Sequence, residues 1–103
     1  MSATAAPSLG IGSKPQLLFF HSARSGPSRR AEGYLAQVLQ RRANHHAFQL
    51  RRIDVDRHPA IARHFAVRTL PTLIVIDATH VEARVEAPAG CGEIRAALAR
   101  WLA

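Results

Sequence analysis

The sequence predicts one α/β domain with the element order β-α-β-α-β-β-α. Three features carry the prediction. A short apolar run, Leu17-Leu18-Phe19-Phe20, is separated by the turn Ser25-Gly26-Pro27-Ser28 from a long amphipathic stretch. A second strand pattern follows that stretch, which makes a right-handed parallel βαβ unit. Beyond it, Thr72–Ile76 and the alternating Val81, Ala83 and Val85 read as a hairpin ahead of a last helical period.

Each element has its own local reason. Gln16–His21 holds consecutive apolar residues, as in a strand covered on both faces. Ser25 suits a helix N-cap, and Pro27 falls in the first turn, where its missing N–H is harmless. The helix is expected from Pro27 to Ala43. It should bury Ala31, Leu35, Val38 and Leu39, turn Arg30, Gln37 and Arg41 outward, and stop at Asn44. Phe48–Asp56 reads as the second strand, and its Arg51-Arg52 pair suits a sheet edge. Pro59 opens a short helix containing Ile61, Ala62 and Phe65. Thr72–Ile76 is a buried, β-branched strand, and Asp77-Ala78-Thr79-His80 turns the chain. Glu82, Arg84 and Glu86 then alternate with the apolar residues, so that strand is half exposed. Ile94, Ala97, Leu98, Trp101 and Leu102 keep helical spacing.

The composition bounds the function. The 103 residues are 48% apolar, enough for a core without disulfide or metal staples. Cys91 is the only cysteine, so an intramolecular disulfide and a secreted disulfide scaffold are excluded. A reducing, cytoplasmic setting is the expectation. No apolar run approaches a membrane span, and no membrane partner is expected. Residues 1–14 are Ala/Ser/Gly-rich and lack the pattern of a signal peptide; they are expected to form a flexible tail ahead of a domain at 15–103.

The net charge is +7, with thirteen Arg against one Lys. Such a surface suits nucleic acid, acidic partners or anionic ligands. Aromatic residues are not interleaved with the arginines, which argues against single-strand binding. The charge is therefore read as a solvated basic face, with nucleic acid or an acidic partner as an alternative.

The turn Ser25-Gly26-Pro27-Ser28 between strand and helix, with the distant Thr69-Leu70-Pro71-Thr72 before another strand, resembles the thioredoxin superfamily. The resemblance covers roughly residues 15–103. It implies a four-stranded mixed sheet flanked by helices on both faces, in the minimal form without the additional first strand and helix. The segment at 48–56 would then be an exposed edge. Strand pairing between copies is open to it, while Arg51 and Arg52 discourage it, so a monomer or weak dimer is expected.

In redox-active members the turn reads Cys-Gly-Pro-Cys; here Ser25 and Ser28 occupy both cysteine positions. Dithiol exchange needs a thiolate and a second, resolving thiol, and serine supplies neither. Two further departures agree. Arg24 stands where thioredoxins have Trp, and Phe19 stands where they have a buried Asp, whose basic partner matches Arg52. The resemblance thus implies a redox-inactive protein, with no catalytic residue expected at Ser25, Gly26, Pro27 or Ser28. No cofactor is expected. Pro71 matches the superfamily's cis-proline, and Leu70 would offer backbone groups to an extended peptide. Arg24, Ser25, Leu70 and Pro71 are accordingly the candidate peptide-binding residues of an interaction module for an unknown protein or peptide. The alternative is a thiol-disulfide oxidoreductase silenced by Cys-to-Ser replacement at positions 25 and 28.

Other chemistries are weaker. His21 is near Ser25 in sequence, but no acid is placed to orient it, and Ser25 is read as a cap. Arg24, Arg29 and Arg30 at a helix start could receive an anion, although closeness in sequence does not establish convergence in space. Cys91 matches neither motif position and is read as an inert thiol. His45 and His46 are adjacent near a helix end, and His58, His64 and His80 read as surface or loop residues; no metal site is expected.

Overall fold

The computed structural model describes residues 14–41, 44 and 46–102. The tail expected at 1–14 lies, apart from Lys14, outside the described residues. The elements are β1 (Gln16–His21), α1 (Gly26–Leu39), β2 (Gln49–Asp54), α2 (Pro59–His64), β3 (Thr72–Asp77), β4 (His80–Glu86) and α3 (Cys91–Leu98). A single 3-10 turn, Ala99–Trp101, extends α3. The sheet has four strands in the order β2-β1-β3-β4. β1 and β2 run parallel, while β3 is antiparallel to both β1 and β4.

β1 is central because both of its faces are apolar. Leu17 and Phe19 face α1 and α3, packing with Ala31, Leu35, Val38, Ile94 and Leu98. Leu18 and Phe20 face the other way, toward Ala62 of α2 and Ile74 of β3. The four β1 side chains are between 0 and 4% exposed. Burial of side chains of this size contributes about 1.5–3 kcal/mol each. The continuous apolar run thus becomes two alternating sets, one for each helical layer. β2 lies at an edge, as Arg51 and Arg52 indicate, and both arginines are exposed.

Three boundaries differ from expectation. α1 ends at Leu39 rather than Ala43, a residue outside the description. The stop is therefore not at Asn44 but at Gln40, the C-cap; Asn44 is buried beyond it, and its Nδ2 reaches back to the Val38 carbonyl at 3.5 Å. β2 is shorter than 48–56. Phe48 leaves the strand to meet Trp101 edge-on at 5.8 Å, and at the far end the Asp56 N–H donates to Asp54 Oδ1, forming an Asx turn. In β4, Val81 is 53% exposed instead of following Ala83 and Val85 inward. The register changes there: Val75 opposes Ala83, but Ile76 opposes Val81, so Glu82 is an extra residue in a bulge.

Candidate functional site

Strand register gathers the sequence motifs at one end of the sheet. His21 closes β1 opposite Asp54 of β2, and Phe20 opposes Thr72, the first residue of β3. The segment Ser22–Ser28, Asp56 and the Leu70–Pro71 loop therefore emerge side by side.

Ser25 is the N-cap of α1. Its extended backbone (φ −103°, ψ 112°) points Oγ at the Ser28 N–H, which donates at 3.1 Å. Ser28 is 3% exposed, and its Oγ accepts from the Ser22 N–H at 3.4 Å. Both hydroxyls at the motif positions thus satisfy backbone donors around the helix start.

The shortest polar contact here involves residues outside the motif. The Ser22 hydroxyl donates to Asp56 Oδ2 at 2.6 Å while accepting from the Arg24 N–H at 3.2 Å. Arg24 Nη2 reaches Asp56 Oδ1 at 3.3 Å. The Ser22 hydrogen bond is the main cause holding the Asp56 carboxyl below its ordinary value; desolvation opposes it, and the charges of Arg24 and His21 reinforce it. Asp56 holds the hydroxyl of Ser22 and the guanidinium of Arg24, not the hydroxyl of Ser25. Asp56 was legible only as a strand end, because its partners lie 32 and 34 residues away.

The three arginines divide. Arg24 is held at Asp56. Arg29 Nη1 donates to the Ala23 carbonyl at 2.9 Å. Arg29 and Arg30 both reach back to Gly26: a Cβ there would lie 3.5 Å from Arg30 Nη1 and 4.0 Å from Arg29 Nη2. Two of the three thus stand beside the same residue of the helix start. Beside them, a cleft of about 170 Å³ is lined by His21, Ser22, Ala23, Ser28, Arg29 and Glu32. Phe19 is fully buried and stacks on His21 with centroids 5.5 Å apart. Its register partner Arg52 turns to Glu32 instead, at 2.7 Å.

On the other side of the site the Leu70–Pro71 peptide bond is cis. Pro71 is buried and its carbonyl accepts from the Ala87 N–H at 2.8 Å, while Thr72 Oγ1 donates to the Thr69 carbonyl at 2.7 Å. Between these fixed neighbours, the Leu70 N–H and C=O make no hydrogen bond among the described residues. Its side chain is half-buried against the α2-side core. Arg84 braces the loop that leads here: Nη1 and Nη2 donate to the Phe65 and Ala66 carbonyls at 2.8 and 2.7 Å. Sequence alternation placed Arg84 on an exposed strand face and gave no sign of this role.

Cys91 opens α3, and its thiol lies 2.8 Å from Gln37 Oε1. Gln37 is about 18 Å along α1 from Ser25, at 1.5 Å per residue, so the thiol belongs to the α1–α3 contact. Among the described residues, no group of three or more His, Cys, Asp or Glu could hold a metal ion; His45 is outside the description. Among the same residues, no helix is long and apolar enough to cross a membrane.

No family model matches the chain. A thioredoxin-like protein of Synechocystis sp. is 33% identical over 64 residues, which cover 60% of this chain and 57% of that protein. The chain thus aligns with little more than half the length of this curated relative. Among solved structures, thioredoxin-2, described as a component of malaria parasite protein secretion machinery, superposes with a TM-score of 0.75 at 18% identity, covering 84% of this chain and 82% of that one. The germline-specific thioredoxin Deadhead of Drosophila melanogaster gives 0.71 at 22% identity, covering 84% and 80%. Trxlp of Edwardsiella tarda gives 0.73 at 17%, covering 85% and 84%. With its four-stranded mixed sheet and helices on both faces, the chain has the thioredoxin fold and is similar over 64 residues to a thioredoxin-like protein.

Proposed function

We propose that this domain is a peptide-interaction module that performs no dithiol exchange at its helix-start turn. The observation that carries the reading is Leu70: its two backbone groups have no hydrogen-bond partner among the described residues, between tethered neighbours at the sheet end where α1 begins. Unpaired backbone donors and acceptors are what strand addition uses, with pockets beside them supplying selectivity. Ser25 and Ser28 contribute structure instead of chemistry, since one caps the helix and the other is buried against Ser22. Neither can form a disulfide. A cytoplasmic setting is part of the same proposal, and the partner is an extended segment of a protein or a peptide.

The test is selection of peptides from a displayed library against the full chain, followed by NMR titration of the selected sequences. Binding should shift the amide resonances of Leu70 and Arg24. Methylating the peptide nitrogens in turn should find one position at which binding is lost, because a backbone hydrogen bond to Leu70 then cannot form. Selected peptides that leave Leu70 unmoved, or that tolerate methylation throughout, would refute the reading. A silenced oxidoreductase is the second reading, favoured by the retained helix-start geometry at Ser25.

A further inference from the structure

We propose that the peptide taken at this site is acidic, with carboxylates lying against Arg29 and Arg30 while its backbone pairs with Leu70. The inference rests on the peptide-binding reading above and names its ligand class. It comes from how charge is distributed around the helix start. Three acids in this part of the fold already hold cations: Asp56 takes Arg24 at 3.3 Å, Glu32 takes Arg52 at 2.7 Å, and Glu86 takes Arg84 at 3.0 Å. Asp54 accepts the Asp56 N–H. Arg29, Arg30 and Arg68 have no ionic partner among the described residues.

Two of these three guanidiniums lie beside Gly26, with Arg30 Nη1 and Arg29 Nη2 at 3.5 and 4.0 Å from where its Cβ would stand. The bond from Arg29 to the Ala23 carbonyl orients one of them without neutralising it. No acid occupies the first turn of α1. Arg68 is exposed and stands two residues before Leu70 in the chain. Uncompensated positive charge therefore occurs in both segments at this end of the sheet. An acidic segment gains attraction there that a neutral one does not, and like-charge repulsion rejects basic segments.

The experiment uses the full chain, isotope-labelled, and two short synthetic peptides of extended-favouring sequence that differ only in Glu against Gln at alternate positions. Both should shift the Leu70 amide. The Glu peptide should bind roughly tenfold tighter at low salt, and the advantage should fade once the screening length drops to about 3 Å near 1 M salt. Arg29→Gln with Arg30→Gln should abolish the advantage while leaving Gln-peptide binding in place; both side chains are exposed, so the fold is retained. Equal affinities with Leu70 shifted would overturn the acidic assignment and leave the peptide site standing. No shift at Leu70 with either peptide would overturn both. Retention of the Glu preference in the double variant would also overturn the proposal. So would a short oligothymidylate that displaces the Glu peptide and binds the same arginines more tightly, which would assign the patch to nucleic acid.

Discussion

The Ser22 hydroxyl donates to Asp56 at 2.6 Å and so joins the loop after β1 to the loop after β2. Ser22 is 6% exposed, while Arg24 completes the contact from solvent. The pair anchors Ser22, whose backbone in turn bonds both motif serines, accepting from the Ser25 N–H and donating to Ser28 Oγ.

Its pH dependence follows from the lowered Asp56 pKa. A carboxyl that ionises more readily in the folded state than at its ordinary value of 3.8 stabilises the fold above that value. The contribution is lost as pH falls through the folded-state pKa, where both states become protonated. Asp56→Asn should therefore lower the urea midpoint at neutral pH, and the gap to the unsubstituted chain should narrow as pH falls below 3.8. A gap independent of pH would remove the carboxylate from the explanation.

Ser25 is predicted to matter as a cap. Ser25→Ala should destabilise the fold by about 1 kcal/mol, and Ser25→Asp should retain most of the stability because its carboxylate can accept the same N–H. Thermal unfolding of the two variants distinguishes capping from mere side-chain volume. Equal losses in both would contradict the capping role.

Much of this fold was legible because its signals are local. The apolar run of β1, the Ser25 cap and the Pro59 helix start each act within a few residues. The opposite burial of Phe19 and Phe20 follows from strand period alone. What escaped depends on partners distant in sequence. Asp56 acquires its role from Ser22, and Arg84 from Phe65 and Ala66. The exposure of Val81 depends on a bulge that alternation cannot anticipate. That Arg29 and Arg30 both turn back to Gly26 is likewise a matter of side-chain direction, which spacing leaves open.

Arg84 is expected to stabilise the loop carrying Leu70. It supplies two charged donors to carbonyls at the end of α2, where Ala66 takes a left-handed backbone (φ 54°). Arg84→Met keeps much of the side-chain stem and removes both donors. It should destabilise the domain by about 1.5–3 kcal/mol, the range for hydrogen bonds to charged groups. Hydrogen exchange should quicken first at Phe65–Val67, whose amides bond within this turn. Uniform quickening across β1 and β3 would instead mean that Arg84 supports the whole sheet.

The last prediction separates lost chemistry from a lost scaffold. The present chain should not reduce insulin disulfides, because Ser25 and Ser28 offer no thiol and Cys91 sits at Gln37, far along α1. In Ser25→Cys/Ser28→Cys, the residue at 25 would still stand at the N-terminus of α1, where the helix favours a thiolate. The second cysteine would be buried, as Ser28 is, within one helical turn of the first. That variant should form a reversible intramolecular disulfide and gain turnover. Phe19 and Arg24 remain, however, so no buried acid is restored beside the pair. Adding Phe19→Asp would put an unpaired carboxyl into the core, since Arg52 is engaged by Glu32, and should cost several kcal/mol of stability. Turnover by the unsubstituted chain would refute the redox-silent reading. Failure of the double-cysteine form to close a disulfide would show that the helix-start geometry, as well as the sulfur, has departed from exchange chemistry.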